Sequence, residues 1–196
     1  MAVASCITNN TNGNAGVIFF SASLYKKADT SVALGNIVTM SFYVLATLLA
    51  ICVFAKFGRR PIQLWGLVVI DLCLVLMGIC VLKKWNNLML GTMAVFFMAC
   101  NIGPCTIGWI YTSEIATKKS ISVAAAATWT ELLIIGLITK PLFDKTNYGF
   151  FVFGALNSVM TLIMFLFMKE TKGLSEEQIG QLYVRDNQVK DMVELA

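Results

Sequence analysis

Four asparagines near the start of the chain, Asn9, Asn10, Asn12 and Asn14, surround Gly13 and precede Phe19 and Phe20 inside an otherwise apolar stretch. Carboxamides both donate and accept hydrogen bonds, which suits an uncharged polyhydroxyl solute, and an aromatic ring can cover the C–H side of such a solute. Asn101, Gly103 and Pro104 form a second polar group, followed by Trp109 and Glu114. Proline removes a backbone hydrogen bond and glycine loosens its neighbour, so a helix through these residues is expected to break there. A packing kink with no ligand is the plainer reading of the same residues.

Asp71 and Glu131 stand near the middle of two further apolar stretches. A charge in lipid costs several kcal/mol unless it is paired, hydrated or protonated. Each acid is a candidate for proton linkage, and a polar contact satisfied between helices is the alternative. No histidine is present, and no nucleophile with a base, metal-ligand spacing or phosphate-cradling glycine loop stands out. The expectation is a non-enzyme without metal or cofactor.

Six apolar windows must position these residues, at about 3–24, 32–55, 62–82, 88–112, 121–143 and 148–168. Each approaches the roughly 20 residues that a helix needs to cross a bilayer. The chain is 58% hydrophobic and 13% charged with a mean hydropathy of +0.75, which makes the membrane its solvent. Long continuous runs favour helices over barrel strands, which are shorter and alternate in polarity. The fold expected is an all-α membrane protein of six transmembrane helices over 1–168, with a cytosolic tail over 169–196.

An even number of spans puts both termini on one side of the membrane. That side holds nine lysines and arginines and the other six, so the positive-inside rule places the termini in the cytosol. The cysteines fall within spans and read as packing residues. The net charge of +4 is too small and scattered for nucleic acid. The tail from 174 onward mixes charges with Ile179, Leu182 and Val189, as a short amphipathic helix or a disordered segment would.

Lys56-Phe57-Gly58-Arg59-Arg60, then Gly103-Pro104 with Trp109, Tyr111 and Glu114, then Glu170-Thr171-Lys172-Gly173-Leu174-Ser175 resemble, in order, three signatures of the sugar porter family of the major facilitator superfamily. The resemblance is to spans seven to twelve, the carboxy-terminal half, and covers essentially the whole chain. It implies half of a major facilitator bundle that moves a hexose-type sugar by alternating access, in a plasma membrane, with a second six-helix half or a copy of itself. A non-transporting sugar sensor or regulatory subunit, a relic of a longer porter, and a polyol or other small-solute transporter are the alternatives.

The resemblance implies sugar contacts at Asn9, Asn10, Asn14, Phe19, Asn101, Trp109, Thr128 and Trp129. It implies a gating and charge network of Gly58, Arg59, Arg60, Gly103, Pro104, Glu114, Lys119 and Glu170, in which Arg59 or Arg60 pairs with both acids. The chain also departs from the family pattern. Ala15 stands for an asparagine, Ala55 for an acid, Thr106 and Gly108 for prolines, and Lys169 for the proline before Glu170.

Overall fold

A computed structural model of the chain describes residues 1–27, 31–145, 148–175, 177–180 and 182. Its helices are α1 (Ala2–Thr11), α2 (Asn14–Lys27), α3 (Val32–Lys56), α4 (Arg59–Lys83), α5 (Asn86–Cys100), α6 (Thr106–Ile115), α7 (Lys118–Lys145) and α8 (Gly149–Phe167), with a π-helical turn at Asn101–Cys105 joining α5 to α6. Among the described residues five stretches are long and apolar enough to cross a membrane: Val32–Lys56, Arg59–Lys83, Asn86–Ile115, Lys119–Phe143 and Gly149–Phe167. The outward side chains of α3, α7 and α8, among them Ile37, Leu48, Leu137 and Leu166, are apolar and exposed, as a hydrocarbon solvent requires.

The first apolar window is divided rather than continuous, and its break has a local cause. Gly13 takes a left-handed φ of +82° just beyond the last residues of α1, the position where glycine ends helices because it has no Cβ to clash. The Asn12 Oδ1 then accepts the Asn14 N–H at 2.8 Å, satisfying an orphan donor at the start of α2. Space enforces the same choice, since a Cβ on Gly13 would lie 3.0 Å from the Phe153 ring.

Pro104 causes the second break, where Gly103 leaves helical geometry with a ψ of −109°. The Thr106 hydroxyl donates to the Asn101 carbonyl at 2.7 Å and so satisfies a group freed by the disruption. Opposite the break, a Cβ on Gly66 would meet the Gly103 Cα at 2.9 Å, so α4 and the π-helical turn cross nearly backbone to backbone.

Packing holds both breaks in the centre. α1 lies against α6 and α7, while α4 lies against α5 and α8. The main apolar core gathers Phe20, Ile70, Leu74, Phe97, Phe143 and Phe153 from α2, α4, α5, α7 and α8. Within it the Phe20 and Phe143 rings stack at 4.7 Å and Phe150 meets Phe143 edge-on at 4.8 Å. A second cluster, built on Ile62, Leu67, Ile107, Tyr111, Met164 and Met168, joins α4, α6 and the end of α8.

Past α8 the described chain has no regular structure as far as Glu170 and then turns at Lys172 and Gly173, where the Leu174 N–H donates to the Thr171 carbonyl at 3.2 Å, and residues 177–180 form a further turn of helix. The expected amphipathic segment otherwise lies outside the described residues from 183 onward.

Candidate functional site

Two polar networks converge on the break between α1 and α2. In the first, Asn10 Nδ2 donates to the Thr128 carbonyl of α7 at 3.1 Å, and the Thr11 hydroxyl donates to the Glu131 carboxylate in a short contact. The last turn of α1 is thus tied to α7 by a carboxamide and a carboxylate. In the second, Asn14 Nδ2 meets the Cys105 sulfur at 3.3 Å, and the Tyr43 hydroxyl faces both of those groups. Asn101 Nδ2 donates to the Tyr43 carbonyl at 2.8 Å and to the Thr47 hydroxyl at 2.7 Å. This network links α2, α3 and the π-helical turn, so it spans both breaks.

Several buried polar atoms along this surface have no hydrogen-bond partner among the described residues: Asn12 Nδ2, Asn14 Oδ1 and Glu131 Oε2. Unsatisfied buried groups are costly and mark places where a polar partner would be bound favourably. Donor and acceptor atoms are both present, the combination a hydroxylated molecule can match.

The aromatic candidates stand apart from these networks. Phe19 is 60% exposed, Trp129 is 62% exposed and Trp109 is 37% exposed. The Phe19 ring covers Gly136 of α7, whose Cβ would meet it at 3.4 Å. Asn9 is half-buried and makes no side-chain hydrogen bond among the described residues. Tyr43, Thr47 and Thr11 are not among the site residues expected from the sequence, and Cys105, expected only to pack, is part of the polar network. A signal for two of them exists, because Thr39, Tyr43 and Thr47 recur every four residues and form a polar stripe on α3.

Asp71 belongs to neither network. Its carboxylate accepts the Thr161 hydroxyl of α8 at 3.3 Å, beside Asn157, whose Nδ2 donates to the Leu67 carbonyl at 3.1 Å. Both residues lie between α4 and α8.

A third cluster sits where α4 begins, α6 ends and the chain leaves α8. Arg59 donates through Nε and Nη2 to Glu114 Oε1 at 3.0 and 2.9 Å, and Thr171 Oγ1 donates to the other Glu114 oxygen. Glu170 does not pair with a guanidinium as expected. Its carboxylate accepts the backbone N–H groups of Arg59 (2.8 Å), Arg60 (3.1 Å), Thr171 (3.1 Å) and Lys172 (3.0 Å). The reason is geometric: Gly58 offers no cap of its own, the first N–H groups of α4 are unsatisfied, and a helix N-terminus attracts negative charge. Gly58 is needed for space, because a Cβ there would fall 2.1 Å from Glu170 Oε2.

The departures noted in the sequence have partners here. Lys172 Nζ donates to the Ala55 carbonyl at 2.8 Å, so a main-chain oxygen serves where an acid was expected. The Lys169 N–H, which a proline would lack, donates to the Tyr111 hydroxyl at 3.2 Å. Gly108 lets α1 approach α6, since a Cβ there would meet the Ser5 carbonyl oxygen at 2.9 Å. Arg60 Nη2 donates to the Phe165 carbonyl at 2.9 Å. Lys119 is exposed and contributes no ion pair among the described residues.

Burial raises the Glu170 pKa, yet the four N–H donors outweigh it and hold the carboxyl below its ordinary value of 4.5. A carboxyl held low contributes stability above its unfolded pKa and loses it as the pH falls through the lower folded value. Acidification below about pH 4 is therefore expected to loosen the cluster. Limited digestion by pepsin at the exposed Phe57 should accelerate there, and Glu170→Gln should remove most of that pH dependence.

A model of the family described as Sugar (and other) transporter matches residues 1–183. The chain is 26% identical over 188 residues to sugar transporter ERD6-like 18 of Arabidopsis thaliana, covering 89% of this chain and 39% of that one. It is 27% identical over 180 residues to the facilitated glucose transporter member 2 of Rattus norvegicus, covering 86% and 34%. The fold matches the major facilitator proton:xylose symporter XylE bound to 6-bromo-6-deoxy-D-glucose, with a TM-score of 0.84 at 23% identity over 93% of this chain and 42% of that one. An inward-open structure of the xylose transporter XylE from E. coli matches with a TM-score of 0.81 at 22% identity, over 92% of this chain and 40% of that one. The chain spans about two fifths of the length of the relatives it matches.

Proposed function

Because the chain belongs to the Sugar (and other) transporter family, we propose that it is the sugar-binding half of a membrane transporter. It moves a hexose or related sugar by alternating access together with a second six-helix unit. The observation that carries this reading is the convergence of Asn10, Asn14, Asn101 and Glu131 on two helix breaks, with unpartnered polar atoms beside them. Broken helices near mid-membrane are a recurrent device at transporter sites, because they expose main-chain and carboxamide groups without exposing them to lipid.

In this reading the exposed Trp109, Trp129 and Phe19 face the second unit and close over the sugar's apolar side. Thr128 positions Asn10 through its carbonyl, and Asn9 is a further carboxamide for the sugar. Gly103 and Pro104 supply the bend. The Arg59–Glu114 pair and the Glu170 cap hold the ends of α4, α6 and α8 together in one state of the cycle and separate in another. The excess of basic residues on the side of the termini supports a cytosolic location for that cluster, in a plasma membrane.

The test is uptake of labelled hexose in a transporter-deficient cell that expresses this chain with the six-helix amino-terminal half of a relative. Uptake should exceed that of either part alone, and Trp109→Ala should reduce it by about tenfold or more, the scale of one buried aromatic contact. Binding of sugar without flux in that pairing would favour a sensor, and neither would defeat the proposal.

A further inference from the structure

Asp71 is the single charged residue in the middle of the α4–α8 pair. The other charges of α4, Arg59, Arg60 and Lys83, stand at its two ends, which at about 1.5 Å per residue is roughly 17 Å away. Of the elements packed on α4, α5, the π-helical turn and α8 contain no charged residue, and α6 contains only Glu114, which Arg59 holds. Among the described residues no basic group pairs with Asp71.

What faces Asp71 is mostly oxygen. The Thr161 hydroxyl has one hydrogen for two acceptors, the Asn157 carbonyl at 2.8 Å and Asp71 Oδ2 at 3.3 Å. When it serves the nearer one, the two side-chain oxygens face each other with lone pairs. Asp71 Oδ1 and Asn157 Oδ1 are buried acceptors without a donor among the described residues. Asn157 is fully buried, its Nδ2 is given to the Leu67 carbonyl, and its amide end and the Ser158 hydroxyl both face the Asp71 carboxylate. Asp71 and Thr161 are half-buried and Ser158 is exposed, so the outer edge of the cluster meets lipid, which supplies neither donors nor counter-charge.

We propose that Asp71, Asn157, Ser158 and Thr161 form a binding site for one sodium ion between α4 and α8. An excess of oxygen acceptors around a lone carboxylate is the ligand set of a hard cation. One monovalent charge neutralises one carboxylate, whereas a divalent ion would leave a net charge in lipid. The 3.3 Å between Asp71 Oδ2 and Thr161 Oγ1 also fits two ligands of one ion, because metal–oxygen distances of about 2.4 Å at octahedral angles place neighbouring ligands roughly 3.4 Å apart. A water molecule would supply donors but no charge. The inference stands independently of which solute the protein moves.

Thermal unfolding of the purified chain in detergent tests it, in sodium chloride against choline chloride at equal ionic strength and pH, alongside equilibrium binding of radioactive sodium. Saturation with sodium is expected to raise the unfolding midpoint by roughly 3–10 °C, with one ion bound per chain. Asp71→Asn should abolish both effects. In choline it should unfold no earlier than wild type, because it removes an uncompensated charge, whereas loss of a mere helix-to-helix tie would lower the midpoint. Thr161→Val keeps the carboxylate and should weaken sodium binding by on the order of tenfold. Equal midpoints in the two salts with no bound sodium would overturn the proposal in favour of a protonated carboxyl. A sodium shift that persists in Asp71→Asn would overturn it in favour of a site elsewhere.

Discussion

Gly58→Ala is expected to destabilise the protein about as much as removing Glu170 itself. The added Cβ would occupy the place of the carboxylate, 2.1 Å from Oε2, while φ at Gly58 is −75° and any residue can adopt it. The loss is therefore one of space, not of backbone freedom. Displacing the carboxylate leaves four backbone N–H groups without their acceptor. Hydrogen bonds to a charged acceptor contribute about 1.5–3 kcal/mol each where they are shielded, and the partial exposure of this site lowers the total to about 2–3 kcal/mol. Thermal unfolding in detergent should fall by roughly 4–10 °C. Because both substitutions remove the same contact, Gly58→Ala with Glu170→Ala should cost little more than either alone. Additive effects would show that the glycine serves some other purpose.

Asn101→Leu is the second change of large expected effect, and its consequence is functional. Asn101 donates to Tyr43 and Thr47 of α3 from a position two residues before the Gly103 distortion. Leucine keeps the volume approximately and removes both donors. The Tyr43 carbonyl keeps the Thr47 hydroxyl as a donor, so the cost is about 1–3 kcal/mol for the two lost hydrogen bonds, and on sugar affinity or uptake the same range corresponds to a loss of roughly 5- to 100-fold. Asn101→Asp should fail similarly, because a carboxylate accepts and cannot donate to a carbonyl. Retained uptake in both variants would mean that the α3 stripe of Thr39, Tyr43 and Thr47 holds no part of the site.

Much of the fold is legible in the residues, for identifiable reasons. Windows of lipid length and the Pro104 break follow from composition and from backbone chemistry that tertiary context does not reverse. The division at Asn12–Gly13 had its own signal, an Asn-Gly pair of the kind that marks turns. The apolar window around it concealed that signal, because hydropathy averages over the very residues that end the helix.

The candidate site is legible in its residue types more than in its partners. Asn10, Asn14 and Asn101 stand out because lipid tolerates carboxamides only where something covers them. Tyr43 and Thr47 stand out only as members of the stripe with Thr39, since a single hydroxyl is ordinary in a long apolar helix. Glu170 was recognisable as a member of the charged cluster, whereas its attachment to main-chain donors depends on how the end of α8 meets the start of α4. That meeting is tertiary and leaves no mark in local sequence.

Binding of radiolabelled hexose to the purified, bilayer-reconstituted chain, followed by equilibrium dialysis with unlabelled sugar as competitor, tests the central claim most directly. Saturable, competable binding is expected, weakened by roughly tenfold or more in Asn101→Leu and unchanged in Lys56→Gln. Absence of saturable binding to the wild-type chain, or binding that Asn101→Leu does not alter, would contradict it.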